Sequence, residues 1–146
     1  MEPRLKMQLH YPGMSLPVKA HPSDAGFDLT CMEVIDKGNQ VYFLDTGVSL
    51  EPPAGFYVEL YPRSSVYKTN FFQANSVGII DPDYRGRIYF PFRYLGQGDG
   101  LAEAKALIGT RIGQLVVKRQ EQVQLDLSEH LNDTHRGENG FGSTGK

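Results

Sequence analysis

The feature that most constrains the fold of this chain is the way glycine and proline interrupt it. The sequence has 16 glycines and 9 prolines in 146 residues, and they lie between short runs of Val, Ile, Leu, Phe and Tyr. Because both residues mark turns and end regular elements, this spacing leaves room mainly for short strands. The pattern predicts an all-β fold of the sandwich, barrel or jelly-roll kind.

Alternation of apolar and polar residues locates individual strands. It is clearest over residues 56–61 and 122–127. Apolar residues such as Val58 and Leu60 in the first run, and Val123 and Leu125 in the second, alternate with more polar ones. Both runs are predicted to be half-buried strands. Shorter apolar runs predict further strands at 41–44, 79–80, 88–90 and 115–117, and short helical turns are expected at 64–69 and 101–107.

Composition narrows the class of protein. The length suits a single domain, and 15 basic against 17 acidic residues predict no bulk attraction to nucleic acid or to a membrane. Cys31 is the only cysteine, which excludes an internal disulfide. The apolar runs are too short to span a bilayer, and the start MEPRLKMQLHYPG lacks the apolar core of a secretory signal. We therefore expect a cytoplasmic or otherwise intracellular soluble protein.

The last fifteen residues, NDTHRGENGFGSTGK, contain four glycines and one large apolar side chain, Phe141. Such a segment cannot pack a core. A frayed terminus is the more common meaning of this composition. The alternative is a mobile lid, in which Phe141 stacks on a flat ring and Arg136, Ser143 and Thr144 contact phosphate oxygens.

Five polar clusters recur along the chain in a fixed order: 25–29 (AGFDL), 62–65 (PRSS), 78–86 (GIIDPDYRG), 111–115 (RIGQL) and the tail from Arg136. Their order and spacing resemble the five motifs of the trimeric dUTPases, over residues 25–145. Five ordered motifs are specific where each alone would be weak. The resemblance implies a jelly-roll-like distorted barrel of the β-clip type, with residues 1–131 as the barrel and 132–146 as a flexible lid.

The third cluster carries most of the chemistry that the resemblance implies. Asp81 would orient and deprotonate the attacking water, and Tyr84 would lie under the deoxyribose, leaving no room for a 2′-hydroxyl. Uracil would be bound by Asn75 and by the backbone near Gly78 and Ile80. From the residues alone Asp83 competes with Asp81 for the role of base, since residues two apart on a strand share a face.

The other clusters would bind the triphosphate. By resemblance, the β- and γ-phosphates are held by Arg63, Ser64 and Ser65, and the α-phosphate region by Gln114. Asp28 would accept a hydrogen bond from a water on Mg²⁺ that is bound mainly by the triphosphate. The lid residues that would close over the substrate are Arg136, Phe141, Gly142 and Ser143.

The implied activity is hydrolysis of dUTP to dUMP and pyrophosphate by in-line attack on the α-phosphorus. It would supply dUMP for thymidylate synthesis and keep uracil out of DNA. The resemblance also implies a homotrimer, with each site built from the hairpin of one subunit, the phosphate motifs of a second and the tail of a third.

Two other functions compete. A dCTP deaminase shares the RSS cluster and the Ile-Asp-Pro hairpin, but needs a glutamate at the position of Pro91, and no Asp or Glu occurs between Asp83 and Asp99. The second is a catalytically silent trimer that serves protein contacts. The clearest departure from the family pattern is the long, helix-prone connection 94–109, followed by Thr110 where an Asp is common.

Overall fold

In the computed structural model, which describes residues 2–143 and residue 145, the regular secondary structure consists almost entirely of antiparallel strands. They are β1 (Lys6–Leu9), β2 (Phe27–Thr30), β3 (Glu33–Asp36), β4 (Val41–Glu51), β5 (Phe56–Pro62), β6 (Phe71–Gln73), β7 (Gly78–Ile80), β8 (Arg87–Tyr94) and β9 (Arg111–Arg119). A 3-10 helix, η1 (Ser64–Lys68), follows β5, and one short α-helix, α1 (Gly100–Lys105), follows β8. The predicted all-β class is confirmed.

Two antiparallel sheets enclose the core. One has the strand order β1-β4-β8-β6, with β3 also paired to β4, and the other has the order β2-β9-β5-β7. Apolar side chains of both sheets form a single buried cluster, whose most enclosed members include Leu29, Leu44, Val58, Phe90 and Leu115. A side-chain hydrogen bond joins the sheets, since the amide of Gln73 on β6 donates to the carbonyl of Leu60 on β5 (3.0 Å).

Alternation along the strands accounts for which face each sheet buries. In β8 the even-numbered residues Ile88, Phe90, Phe92 and Tyr94 are all buried. In β5 the buried residues are Val58 and Leu60, as the sequence predicted. Successive strand residues point to opposite faces, so each sheet packs one face inward and leaves the other free for polar groups.

The predicted strand over 122–127 is wrong for the single chain. The last strand ends at Arg119, and Val123, Leu125 and Leu127 are 77%, 92% and 104% exposed. An alternating pattern gives the period of a strand, but a strand also needs an edge to pair with and an apolar surface to cover. In the described part of the chain this segment has neither.

The connection 94–109 is ordered around α1. Asp99 caps the helix by accepting a hydrogen bond from the amide of Ala102 (3.1 Å), and Ala104 is completely buried. Glu103 accepts hydrogen bonds from Asn70 (2.8 Å) and from the hydroxyl of Tyr94. The predictions of short helical turns at 101–107 and 64–69 are confirmed. In the described part of the chain, no helix is long and apolar enough to cross a bilayer.

Candidate active site

A tight turn after β7 carries the third polar cluster and leads from the four-stranded sheet to β8 in the other sheet. The sequence suggested a hairpin here, and we keep that name for residues 78–87, but β7 pairs with β5 whereas β8 pairs with β4 and β6. Asp81, Pro82, Asp83 and Tyr84 form a turn closed by the amide of Tyr84, which donates to the carbonyl of Asp81 (3.1 Å). Proline at the second position presets the backbone for such a turn. The guanidinium of Arg85 donates to the carbonyl of Pro82 (2.6 Å) and so braces the turn from within.

This hairpin forms one wall of a cleft of about 310 Å³. The lining residues are Phe43, Asn75, Ile79, Ile80, Asp81, Tyr84, Arg87, Tyr89 and Pro91. The walls are therefore mostly aromatic and apolar, with one amide, one guanidinium and one carboxylate. A pocket of this size and composition suits a small ring with a few polar edges. Gly78 lies buried behind it, where an added Cβ would be 3.3 Å from the amide nitrogen of Asn75.

The two competing carboxylates differ in position. Both are exposed, but Asp81 lines the cleft beside Tyr84 and also a neighbouring cleft with Tyr57 and Arg119, whereas Asp83 lines neither. A general base must come within hydrogen-bond reach of the proton that it removes. The geometry therefore favours Asp81 over Asp83, a choice that spacing alone left open.

A buried polar network beneath this hairpin was not found from the sequence. Arg87, the first residue of β8, forms an ion pair with Asp45 (2.6 Å), whose side chain is only 4% exposed. The hydroxyl of Tyr11 donates to the same carboxylate (3.0 Å). The hydrogen bond that Arg87 donates to Asp45 raises the pKa of Arg87, and burial raises the pKa of Tyr11. This network fixes the start of β8 to the core.

The network depends on a bulge in β4. The register with β8 shifts between Asp45 and Ser49, and Gly47 adopts a φ of +69° there. The Asp45 carboxylate also accepts a hydrogen bond from the backbone amide of Gly47 (2.8 Å), so the bulge holds this side chain in place for Arg87 and Tyr11. A Cβ on Gly47 would lie 2.6 Å from the Tyr11 ring, which is why this position requires glycine.

Residues of the first, second and fourth clusters meet at one end of the four-stranded sheet. Asp28 on β2 lies opposite Gln114 on β9, which in turn lies opposite Tyr61 on β5. Arg63 follows the end of β5, and its Nε is 3.5 Å from the Asp28 carboxylate. Arg111 reaches the same carboxylate at 3.6 Å. The resulting group of two guanidiniums, one carboxylate and one amide carries net positive charge and suits an anion.

Two of the predicted phosphate ligands, Arg63 and Gln114, already have partners in the single chain. The amide nitrogen of Gln114 donates to the carbonyl of Pro62 (3.0 Å), which leaves its second hydrogen for another acceptor. Ser64 is exposed and Ser65 half-buried at the start of η1. A Cβ on Gly26 would lie 2.3 Å from the Gln114 side-chain oxygen, so a larger residue there would displace the Gln114 amide.

The hairpin cleft and the positive group lie at opposite ends of β5. β5 and β7 are antiparallel, with Val58 opposite Ile80 and Leu60 opposite Gly78. The next residue after β7, Asp81, therefore lies beside Tyr57, near the start of β5. Arg63 is at the other end of the strand, and the rise from Tyr57 to Arg63 is about 20 Å at roughly 3.3 Å per residue. A triphosphate is much shorter than that. One chain therefore does not bring the candidate base and the candidate phosphate ligands to the same substrate.

The described residues of the tail contribute nothing to either group in the single chain. Among the described residues, hydrogen bonds of the tail stay within it, as in that from Arg136 to the carbonyl of Asn139 (2.7 Å). Phe141 is fully exposed, and Gly142 and Ser143 form a turn beside it. Thr144 lies outside the described residues. The sequence-predicted lid residues are thus close to one another but not to the rest of the candidate site.

The described residues contain no group of three or more His, Cys, Asp or Glu side chains that could hold a metal ion by themselves. A single carboxylate, that of Asp28, lies among the candidate phosphate ligands. That donor set fits a Mg²⁺ ion held mainly by a triphosphate, with the protein adding a contact through water.

Comparison with known proteins gives a consistent family. The sequence model of the dUTPase family matches residues 13–145. The chain is 37% identical over 134 residues to the deoxyuridine 5'-triphosphate nucleotidohydrolase of Rickettsia bellii, covering 89% of this chain and 87% of the relative. It is also 37% identical over 140 residues to that of Leptospira interrogans, covering 92% and 93%.

Solved structures share the fold. A mutant of the Staphylococcus bacteriophage 80alpha dUTPase, determined with dUpNHpp, has a TM-score of 0.81 at 23% identity, covering 98% of this chain and 99% of that one. The phage phi11 dUTPase, whose structure shows a species-specific insert, has a TM-score of 0.71 at 21% identity, covering 90% and 99%. At these identities the likeness establishes the architecture alone.

Proposed function

The chain belongs to the dUTPase family and hydrolyses dUTP to dUMP, and we propose that it does so with a water molecule activated by Asp81. The observation that carries this proposal is the hairpin cleft, whose lining includes Asp81 as its one carboxylate. The carboxylate accepts the proton of a water placed in line with the α-phosphorus, and pyrophosphate leaves from the opposite side. The products are dUMP and pyrophosphate.

The cleft itself selects the nucleoside. The Asn75 amide and the backbone around Gly78 and Ile80 hydrogen-bond the edge of uracil, and the Tyr84 ring packs against the deoxyribose. The narrow hairpin excludes the 5-methyl group of thymine by steric clash. A ring against the sugar leaves no space for a 2′-hydroxyl, which rejects UTP.

The positive group at the other end of the sheet binds the phosphates. Arg63, with the hydroxyls of Ser64 and Ser65, holds the β- and γ-phosphates, and Gln114 donates to the α-phosphate region. Asp28 would help to hold a Mg²⁺ ion by accepting a hydrogen bond from one of its waters, the ion being bound mainly by the triphosphate. When bound with the triphosphate, Mg²⁺ supplies positive charge that stabilises the departing pyrophosphate.

A complete site then requires more than one subunit, and we propose a homotrimer. The separation of about 20 Å along β5, at roughly 3.3 Å per residue, is too long for one substrate to contact both ends of the same chain. A neighbouring subunit can bring its own phosphate end to this hairpin. The exposed apolar residues of segment 120–131, such as Leu125 and Leu127, have nothing to cover them in the single chain, and they favour burial against a neighbour as well.

The tail, residues 132–146, acts as a lid in this account. Phe141 stacks on the uracil ring, and Arg136 with Gly142 and Ser143 contacts the phosphates of a site formed by two other subunits. Support comes from composition and exposure. As far as the tail is described, its residues are almost all exposed, and a lone exposed aromatic side chain in a glycine-rich run suits a ring that it covers only when substrate is bound.

The same cleft disfavours deamination of dCTP. Attack on the cytosine ring needs a carboxyl group at the base, and Pro91 occupies the position where the deaminases have a glutamate. Asp81, the carboxylate that lines the cleft, is already assigned to the water that attacks phosphorus.

Pyrophosphate release from dUTP with Mg²⁺, measured beside dCTP, UTP and dTTP, tests the proposal. We expect rapid release from dUTP alone. Release of ammonia from dCTP would show that the protein is a deaminase and not a hydrolase. If no nucleotide reacted, a catalytically silent trimer that serves protein contacts would be favoured.

A further inference from the structure

The Tyr84 ring is held in place by its own hairpin. It folds back over Gly86, where an added Cβ would lie 2.3 Å from the tyrosine hydroxyl oxygen, 2.5 Å from Cζ and 2.9 Å from Cε1. Real Cβ atoms do not approach other heavy atoms so closely. The ring can occupy this position only because residue 86 has no side chain.

A second contact fixes the outer edge of the ring. The Tyr84 hydroxyl donates to the backbone carbonyl of Arg87 (2.9 Å). Arg87 is itself anchored, since its guanidinium pairs with the buried Asp45 carboxylate (2.6 Å) and donates to the hydroxyl of Tyr11 (3.2 Å). The acceptor of the tyrosine hydroxyl is therefore tied to the core of the sheet.

We propose that Gly86 and Arg87 are positioning residues for Tyr84, and that the preference for deoxyribose over ribose depends on the fixed position of this ring. The inference rests on the proposed function, in which Tyr84 lies against the sugar. A ring that can swing aside yields to an extra hydroxyl, whereas a ring held at its face and at its edge cannot.

Substitution of Gly86 separates positioning from folding. The backbone of Gly86 is not among the positive-φ glycines, so alanine meets no backbone strain there. Tyr84 is 42% exposed, so in Gly86→Ala the clash can push the ring into open solvent, at the cost of its hydrogen bond to the carbonyl of Arg87. Gly86→Ala should therefore displace the ring while leaving the fold and the melting temperature close to those of the wild type.

Gly96 provides a control for the clash itself, although its tyrosine, Tyr94, is buried (6% exposed) and Tyr84 is not. It also lies two residues after a tyrosine whose ring folds over it, and a Cβ there would lie 2.3 Å from the hydroxyl oxygen of Tyr94. That pair lies in the 94–109 connection and does not line the hairpin cleft. Gly96→Ala creates the same kind of clash away from the site.

The experiment compares kcat/KM for dUTP and UTP in the wild type, Gly86→Ala, Gly96→Ala, Tyr84→Ala and the Tyr84→Ala/Gly86→Ala double variant. We expect Gly86→Ala to lower the dUTP-to-UTP ratio on the order of tenfold. We expect Gly96→Ala to keep the wild-type ratio. In the Tyr84→Ala background the Gly86 substitution should have no further effect, because its consequence passes through the tyrosine ring.

The inference would be overturned if Gly86→Ala left the dUTP-to-UTP ratio unchanged, or if it lowered this ratio equally in the wild-type and Tyr84→Ala backgrounds. In either case, hydrolysis of dUTP by the wild type would leave the proposed function standing. A wild type that hydrolyses dUTP and UTP equally would also overturn the inference. If the wild type did not hydrolyse dUTP, the proposed function would fail first, and the inference with it.

Discussion

Two variants that are each inactive should restore activity when their subunits are mixed. Asp81→Asn removes the candidate base at the hairpin end of β5, and Arg63→Ala removes a phosphate ligand at the other end, about 20 Å away at roughly 3.3 Å per residue. If each site takes its hairpin and its phosphate group from different subunits, a mixed trimer contains sites with neither lesion. Intact sites then form from two defective chains.

The size of the recovery follows from the assembly. In an equal, random mixture, a site has an intact hairpin in about half of cases and an intact phosphate group in about half, so about one quarter of sites are complete. Each parent loses activity on the order of 10²–10³ fold, so this recovery is far above either background. The assay is pyrophosphate release from dUTP after the two variants are unfolded together and refolded.

A matched mixture gives the control. Arg63→Ala and Gln114→Ala both damage the phosphate end, so every site in their mixture carries one lesion and no recovery is expected. If the mixture of Asp81→Asn and Arg63→Ala also stayed at the level of its parents, with trimers confirmed by light scattering, the shared site would be refuted.

Three further outcomes are expected. Arg87→Ala leaves the buried Asp45 carboxylate without its ion-pair partner and should lower the free energy of unfolding by about 3–5 kcal/mol, measured by urea titration; a loss below about 1 kcal/mol, as for an exposed pair, would contradict it. Hydrogen bonds from Tyr61 and Tyr57 hold the pKa of Glu59 below its usual value. The ionised Glu59 therefore stabilises the fold above the ordinary glutamate pKa, and this stabilisation is lost as the pH falls through the lowered value. The difference in unfolding free energy between the wild type and Glu59→Gln should disappear in acid, and a difference that stays constant with pH would refute this. Phe141→Ala should lower kcat/KM for dUTP with no change in melting temperature, and a lowered melting temperature would show that the tail packs on the body.

The strands were predictable because their signal is local. Alternation within β5 and β8 fixes which residues are buried, whatever the partner strand. The same signal misled at 122–127, where the pattern is present but no edge in the same chain pairs with it. The sequence contains the period of a strand, and it does not contain the identity of its partner.

The sequence proposes residues for the site, but it does not contain their geometry. The ion pair of Asp45 and Arg87 joins residues 42 positions apart, and Tyr11 and Arg87 are 76 apart, so no local pattern reveals them. The separation of Asp81 from Arg63 likewise depends on the β5–β7 register. The Tyr-x-Gly spacing at 84–86 was the one available sign of a ring that needs a glycine beneath it.

The central claim is that Asp81 activates the water that hydrolyses dUTP, and the matched pair Asp81→Asn and Asp83→Asn tests it most directly. The two carboxylates are exposed and two residues apart, but only Asp81 lines the hairpin cleft. With Mg²⁺ and saturating dUTP, we predict that Asp81→Asn lowers kcat on the order of 10²–10⁴ fold, whereas Asp83→Asn stays within a few fold of the wild type. Full activity in Asp81→Asn, or its loss only in Asp83→Asn, would contradict the account.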